Sequence, residues 1–213
     1  MLKIISSSFI KSAIKKIDYP NLSISEFAFF GRSNAGKSSL INFILNRKAL
    51  VKVGAMPGKT RMANFFLIEA HMMQKMGETK KVSFTLCDLP GYGYARLNKN
   101  EVDSLDSILY EYSTNRKNLK KVFLLMDIRR DVRENEEDTI AFFEKLGIKV
   151  VLVATKIDKI AKNEMIKKTK ELEHSLIGVK VIPTSTLKGY GKDCLLSSIE
   201  EELIEELREE DEE

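Results

Sequence analysis

Cysteine is scarce in this 213-residue chain: Cys87 and Cys194 are the only two, far apart and in no metal-ligand spacing. That argues against a disulfide-built scaffold or a cysteine metal centre, and fits a reduced, cytoplasmic protein. Histidine is equally rare. His71 and His174 have no partners at catalytic or metal spacing, so both are expected to be surface or packing residues. No apolar run approaches the roughly 18–20 residues that span a bilayer, and no membrane segment is expected. The N-terminal stretch MLKIISSSFIKSAIKKI is rich in Lys and Ser and has no acid before Asp18. It lacks the apolar core of a signal peptide and leads directly into structured sequence, so no targeting peptide is expected. Internal repeats, low-complexity linkers and a convincing second domain are also missing. The 43% hydrophobic content can fill the core of one domain, expected over 1–203 and followed by an acidic tail at 204–213. A monomer is expected.

Charge is unevenly shared. The net charge is +4, but residues 200–213 (EEELIEELREEDEE) hold ten acids and one Arg. The rest of the chain therefore carries 34 Lys and Arg against 21 Asp and Glu, or +13. A basic body suggests a polyanionic partner. The acidic end reads as a solvated helix that frays into a tail; the alternative is that it screens the basic face when no partner is present.

Apolar runs suggest strands at FAFFG (27–31), NFFLIEA (64–70), VSFTLCDL (82–89), KVFLLMDI (121–128), KVVLVAT (149–155) and VKVIPTS (179–185). Most are continuous rather than alternating, as expected of strands covered on both faces. Helical spacing of apolar residues marks 37–45, 101–115, 134–146, 163–176 and 193–208. This alternation predicts a three-layer α/β domain with a mixed, mostly parallel six-stranded sheet. The runs at 64–70 and 82–89 are joined by a short polar stretch containing Gly77, which predicts a hairpin and one antiparallel edge strand.

GRSNAGKSS (31–39) fits G-x-x-x-x-G-K-[ST], with Gly31, Gly36, Lys37 and Ser38 in register. It follows an apolar strand and opens an amphipathic helix, the context in which this pattern cradles phosphate. Backbone N–H groups and the helix N-terminus face the anion. Lys37 supplies charge to the β- and γ-phosphates, and the Ser38 hydroxyl suits Mg2+. DLPGYGYA (88–95) follows another buried strand. Asp88 there can hold Mg2+ through a water, and Gly91 leaves its N–H free to reach a γ-phosphate. TKID (155–158) follows a third. The Asp158 carboxylate can accept from guanine N1–H and the 2-amino group, donors that adenine lacks. The Lys156 stem can cover one face of the base. TSTLKG (184–189) is a small polar loop suited to placing N–H groups against guanine O6. Thr155 stands where GTPases in general have Asn.

Together these segments resemble one family, the EngB-type (YihA/YsxC) bacterial GTPases. The resemblance is carried by FIKSA (9–13), FFGRSNAGKSSLIN (29–42), PGKTR (57–61), DLPGYGYA, Asp127-Ile-Arg129 and ATKIDKI (154–160), and it runs from about Phe9 to about Leu203. It implies a Ras-like P-loop GTPase fold and a role in assembling the large (50S) ribosomal subunit, with a link to cell division and septation. It also makes Thr60 the switch threonine that contacts Mg2+ and γ-phosphate, and Thr155 matches the form this family uses. The acidic tail lies outside it.

The candidate nucleotide site is then Gly31, Arg32, Ser33, Asn34, Ala35, Gly36, Lys37, Ser38 and Ser39, with Gly58 and Thr60, Asp88 and Gly91, Thr155, Lys156 and Asp158, and Ser185, Thr186 and Leu187. Metal candidates are Ser38, Thr60 and Asp88, and catalytic candidates are Lys37, Thr60, Gly91 and Asn34. Tyr92 occupies the position where many GTPases keep a water-orienting glutamine. Asn34 offers two readings: as in related GTPases it helps to hold a K+ ion near the phosphates, or it only shapes the loop. A docked ribosomal particle could instead complete the site. Tyr92 and Tyr94 are expected on the docking surface. Candidate rRNA contacts are Arg47, Lys48, Lys52, Lys59, Arg61, Arg96, Lys99, Arg116, Lys117, Lys120, Lys121, Arg129, Arg130 and Arg133. A GTP-responsive binding module without meaningful hydrolysis, and an ATP-dependent enzyme on the same loop, are the competing readings; Asp158 disfavours the second.

Overall fold

The structure, a computed structural model, describes residues 1–48, 50–51, 62–73, 78–92 and 99–212, with backbone alone for 99–106 and 210–212. Strands β1 (Leu2–Ala13), β2 (Glu26–Gly31), β3 (Ala63–Met73), β4 (Thr79–Asp88), β5 (Leu119–Asp127), β6 (Lys149–Thr155) and β7 (Lys180–Pro183) form one sheet in the order β1-β3-β4-β2-β5-β6-β7. Helices α1 (Lys37–Ile44), α2 (Lys99–Asn115), α3 (Glu134–Lys145), α4 (Lys162–Ser175) and α5 (Lys192–Glu212) connect and cover it.

The six expected strands and five expected helices are all present. Pairing is parallel from β4 through β2, β5 and β6 to β7, and antiparallel for β3 with β4 and β1 with β3. The antiparallel part lies at one edge, as the hairpin implied. Among the described residues the strand count is seven rather than six, because LKIISSSFIKSA pairs as β1 along β3. Its register shifts between Ile4 and Ser6 and between Phe9 and Lys11, so its inward-facing positions never alternate cleanly and the period-two signal is lost.

Alternate side chains along the central strands face opposite layers. Phe27, Phe29, Phe123 and Leu125 join Leu40, Ile41 and Ile44 of α1 and Leu195, Ile199 and Leu203 of α5. Ala28, Phe30, Val122 and Leu124 join Tyr112 of α2, Ile140 and Phe143 of α3 and Leu172 of α4. Both faces of β2 are thus dry, which explains its uninterrupted apolar run. Phe29 and Phe123 stack across β2 and β5 with centroids 5.0 Å apart.

α5 continues without a break through the expected domain end at residue 203. Its acids pair with lysines at the end of the sheet where β5, β6 and β7 begin: Glu202 with Lys121 (2.9 Å) and Lys149 (3.0 Å), Glu205 with Lys149 (2.7 Å) and Glu201 with Lys180 (3.0 Å). At the same end, Glu26 is fully buried and held by Arg116 through two contacts, at 2.8 and 2.7 Å, and by the Tyr112 hydroxyl at 2.7 Å. These contacts fix one end of the sheet. The carboxyl ends of β2, β4, β5, β6 and β7 all open at the other, where α/β sheets place their ligands.

Candidate functional site

After β2 the chain turns through 32–36 into α1. Asn34 (φ 65°) and Gly36 (φ 94°) both take left-handed backbone there. Gly36 is the N-cap of α1 and offers no capping side chain, so the first N–H groups of the helix are left to an anion. Gly31 admits no side chain at all: a Cβ would lie 2.5 Å from the Leu125 carbonyl oxygen.

The Lys37 ammonium forms a buried ion pair with the Asp88 carboxylate, which is 1% exposed at the end of β4. Gly91 rests directly on the phosphate loop, since a Cβ there would stand 2.9 Å from the Gly31 carbonyl oxygen. Tyr92 bridges to the same loop through its backbone: its N–H donates to Gly31 O at 3.3 Å and its carbonyl accepts from Ser33 N–H at 2.8 Å. The Tyr92 ring lies 5.2 Å from the Phe30 ring, and its hydroxyl donates to Glu136 at 2.7 Å. Burial, and then the hydrogen bond to Glu136, push this phenol far above its ordinary range. The expectation that Tyr92 belongs to a docking surface is therefore corrected: its hydroxyl is committed within the fold. Tyr94 lies outside the described residues.

The base-recognition end joins the phosphate loop from the other side. Thr155, 4% exposed at the end of β6, donates from its hydroxyl to the Ala35 carbonyl at 2.7 Å. Lys156 adopts left-handed backbone (φ 61°), and its ammonium donates to the Asn34 carbonyl at 2.6 Å and lies 3.2 Å from Asp127. Asp158 accepts from the Ser185 hydroxyl at 2.6 Å, while the same oxygen of Ser185 accepts from Lys188 N–H at 3.1 Å. The Ser185 bond is the main reason the Asp158 carboxyl is held below the usual carboxylate range. Thr186 is half-buried and Leu187 is exposed in the same loop.

The structure thus brings residues 31–39, Asp88, Gly91, Thr155, Lys156, Asp158 and 185–187 to one end of the sheet. Gly58 and Thr60 lie outside the described residues. Ser38 and Asp88 supply hard oxygen donors beside the phosphate loop, a set suited to Mg2+, which takes one or two protein oxygens together with substrate phosphates. Asn34 is exposed, and its backbone carbonyl is already engaged by Lys156.

Two participants carried no role in the sequence. Asp127 receives Arg129 through two side-chain contacts, at 2.9 and 2.6 Å, and faces Lys156; mainly the Arg129 bonds hold its carboxyl far below the usual range. Glu136, 3% exposed, meets Tyr92 and accepts from Arg133 N–H at 3.1 Å. Asp127 was visible within the Asp127-Ile-Arg129 segment, but nothing in sequence spacing signals Glu136.

Two rRNA candidates are corrected: Arg116 is bound to buried Glu26, and Lys121 to Ser198 and Glu202. Arg129 contacts Asp127 but stays exposed, and half-buried Lys120 lies 3.7 Å from Glu206. Lys52, Lys59, Arg61 and Arg96, and the Lys99 side chain, lie outside the described residues. Arg47, Lys48, Lys117 and Arg133 are exposed, and Arg130 is half-buried.

A phosphate loop at a strand–helix junction, flanked by an Asp-x-x-Gly turn and a Thr-Lys-x-Asp loop on a mostly parallel sheet, defines a P-loop GTPase. The family model described as 50S ribosome-binding GTPase matches residues 26–156. The protein named "Probable GTP-binding protein EngB" in Treponema denticola is 48% identical over 212 residues, covering 93% of this chain and 98% of that one. Its namesake in Clostridium perfringens (strain SM101) is 41% identical over 209 residues, covering 97% and 100%. The chain belongs to the EngB family of GTP-binding proteins. Two solved structures share the fold. A protein described as a probable GTP-binding protein engB gives a TM-score of 0.60 at 24% identity, covering 83% of this chain and 97% of that one. A variant of Era from Aquifex aeolicus bound to GDP and AlF4− gives 0.64 at 23%, covering 84% and 56%.

Proposed function

We propose that this protein is a GTP-driven molecular switch that acts in the cytoplasm on a precursor of the large (50S) ribosomal subunit and its rRNA. The observation that carries the reading is the convergence on one phosphate loop of a base-recognition loop, through Thr155 and Lys156, and a phosphate-sensing turn, through Gly91 and Tyr92. Lys37 neutralises the β- and γ-phosphates, and the helix N-terminus behind it receives them. Ser38 and Asp88 would hold Mg2+, with Thr60 assigned to it by the family resemblance, and the ion would supply positive charge to the phosphate oxygens. Gly91 N–H contacts the γ-phosphate. Asp158, kept ionised and oriented by Ser185, reads guanine, while Ser185, Thr186 and Leu187 border O6. A large ribosomal particle is supported as partner by the family's description and by the basic body. Arg47, Lys48, Lys117, Lys120, Arg129, Arg130 and Arg133 remain the described candidates for rRNA phosphates, and affinity should fall steeply with salt. The protein acts as a monomer.

Intrinsic hydrolysis is slow, because the Tyr92 hydroxyl is tied to Glu136 and orients no water. Turnover would be completed by the particle, or by Asn34 holding a K+ ion, which would supply positive charge beside the phosphates. A second reading, a GTP-responsive binding module with negligible hydrolysis, draws on the same Tyr92 contact. Single-turnover hydrolysis with and without immature 50S particles separates them: large stimulation supports the switch enzyme, and its absence supports the module. Equal rates in KCl and NaCl at matched ionic strength would remove the K+ role.

A further inference from the structure

We propose that Tyr92 is a positioning residue whose bond to Glu136 holds Gly91 on the phosphate loop, pre-setting the turn for the terminal phosphate that separates GTP from GDP. This rests on the GTP-switch reading above and assigns the discrimination within that site. Tyr92 is anchored three ways: its backbone exchanges two hydrogen bonds with Gly31 and Ser33, its ring packs on Phe30, and its hydroxyl reaches Glu136. Glu136 is itself fixed, because it sits in the first turn of α3 and its other oxygen accepts from Arg133 N–H. The carboxylate is buried and cannot swing out to water without leaving both donors unpaired. The Tyr92 phenol, pushed up by burial, remains a donor throughout the physiological range.

The junction carries a second mark of a ligand. The Ser33 hydroxyl oxygen is buried and has no hydrogen-bond partner among the described residues, although the neighbouring N–H is taken by Tyr92. Buried hydroxyls are rarely left so, and a phosphate oxygen or ordered water at this place would satisfy it. The residue in the glutamine position therefore contributes through the geometry of Gly91, which only GTP reads, rather than through the attacking water.

Tyr92→Phe keeps the ring and removes the one hydrogen bond. The test compares dissociation constants for GDP and for a non-hydrolysable GTP analogue, each with Mg2+, alongside thermal melting. The analogue should weaken about five- to tenfold, the span expected of one buried hydrogen bond, while GDP changes less than about twofold. Glu136→Gln leaves one acceptor oxygen for two donors and should shift the ratio in the same direction. In the double variant, Tyr92→Phe should add less than it does alone. An unchanged ratio, equal weakening of both nucleotides, or a fall in melting temperature without a change in ratio would overturn the proposal. A wild-type protein that bound neither guanine nucleotide would instead overturn the reading beneath it.

Discussion

The Thr155 hydroxyl donates to the Ala35 carbonyl at 2.7 Å, so the residue that ends the base-recognition strand also holds the phosphate loop. Threonine here works on the backbone of a neighbouring loop, where GTPases in general place an asparagine. Thr155→Val keeps the shape and leaves that carbonyl unpaired in a buried place. GDP affinity should fall by about fivefold, the effect of roughly one net hydrogen bond, as measured by calorimetric titration. The fold should survive, because the β-branched side chain still suits β6.

Asp158 is the residue proposed to read the base. Its replacement by asparagine removes a charged acceptor but keeps the size and the contact region of Ser185. Charge-assisted bonds to guanine are worth about 1.5–3 kcal/mol each, so Asp158→Asn should weaken GDP by about ten- to a hundredfold. The preference for GDP over ADP in direct competition should narrow accordingly.

Glu26 and Arg116 are a structural pair far from the nucleotide loops, with the Arg116 side chain 8% exposed and Glu26 fully buried. Removing one partner leaves the other charge buried and alone. Glu26→Ala should cost about 3–5 kcal/mol in urea unfolding, and replacing both residues with apolar ones should recover much of it. Nucleotide affinity of the folded protein should change little.

Asp127 links pH to stability. Its carboxyl is held far down, first by the Arg129 bonds and then by Lys156. A folded-state value below the unfolded one adds stability above about pH 4, the ordinary range of an aspartate, and that stability is lost as the pH falls further. Arg129→Ala should therefore lower the urea midpoint at pH 7, and its gap from wild type should shrink toward pH 2.5.

Local chemistry made most of the site readable. Gly31, Gly36, Lys37, Ser38 and Asp158 were picked out by residue type at fixed spacing after an apolar strand, and the structure gathers them at one end of the sheet. The β2, β5 and β6 runs were equally plain, because strands dry on both faces carry uninterrupted apolar residues. Contacts made across the fold were hidden. Glu136 reaches Tyr92 over 44 positions, and Thr155 reaches Ala35 over 120. β1 was missed because two register shifts scramble its alternation. The basic clusters misled for a related reason: Arg116 and Lys121 look free in sequence but neutralise acids from β2 and α5.

GTP is proposed to drive this protein onto a large ribosomal particle. Co-sedimentation with immature 50S particles, in a non-hydrolysable GTP analogue and in GDP at matched salt, tests it most directly. Protein should appear in the particle fraction with the analogue, be released with GDP, and be lost as salt rises. Equal co-sedimentation with both nucleotides, or none with either, would contradict it.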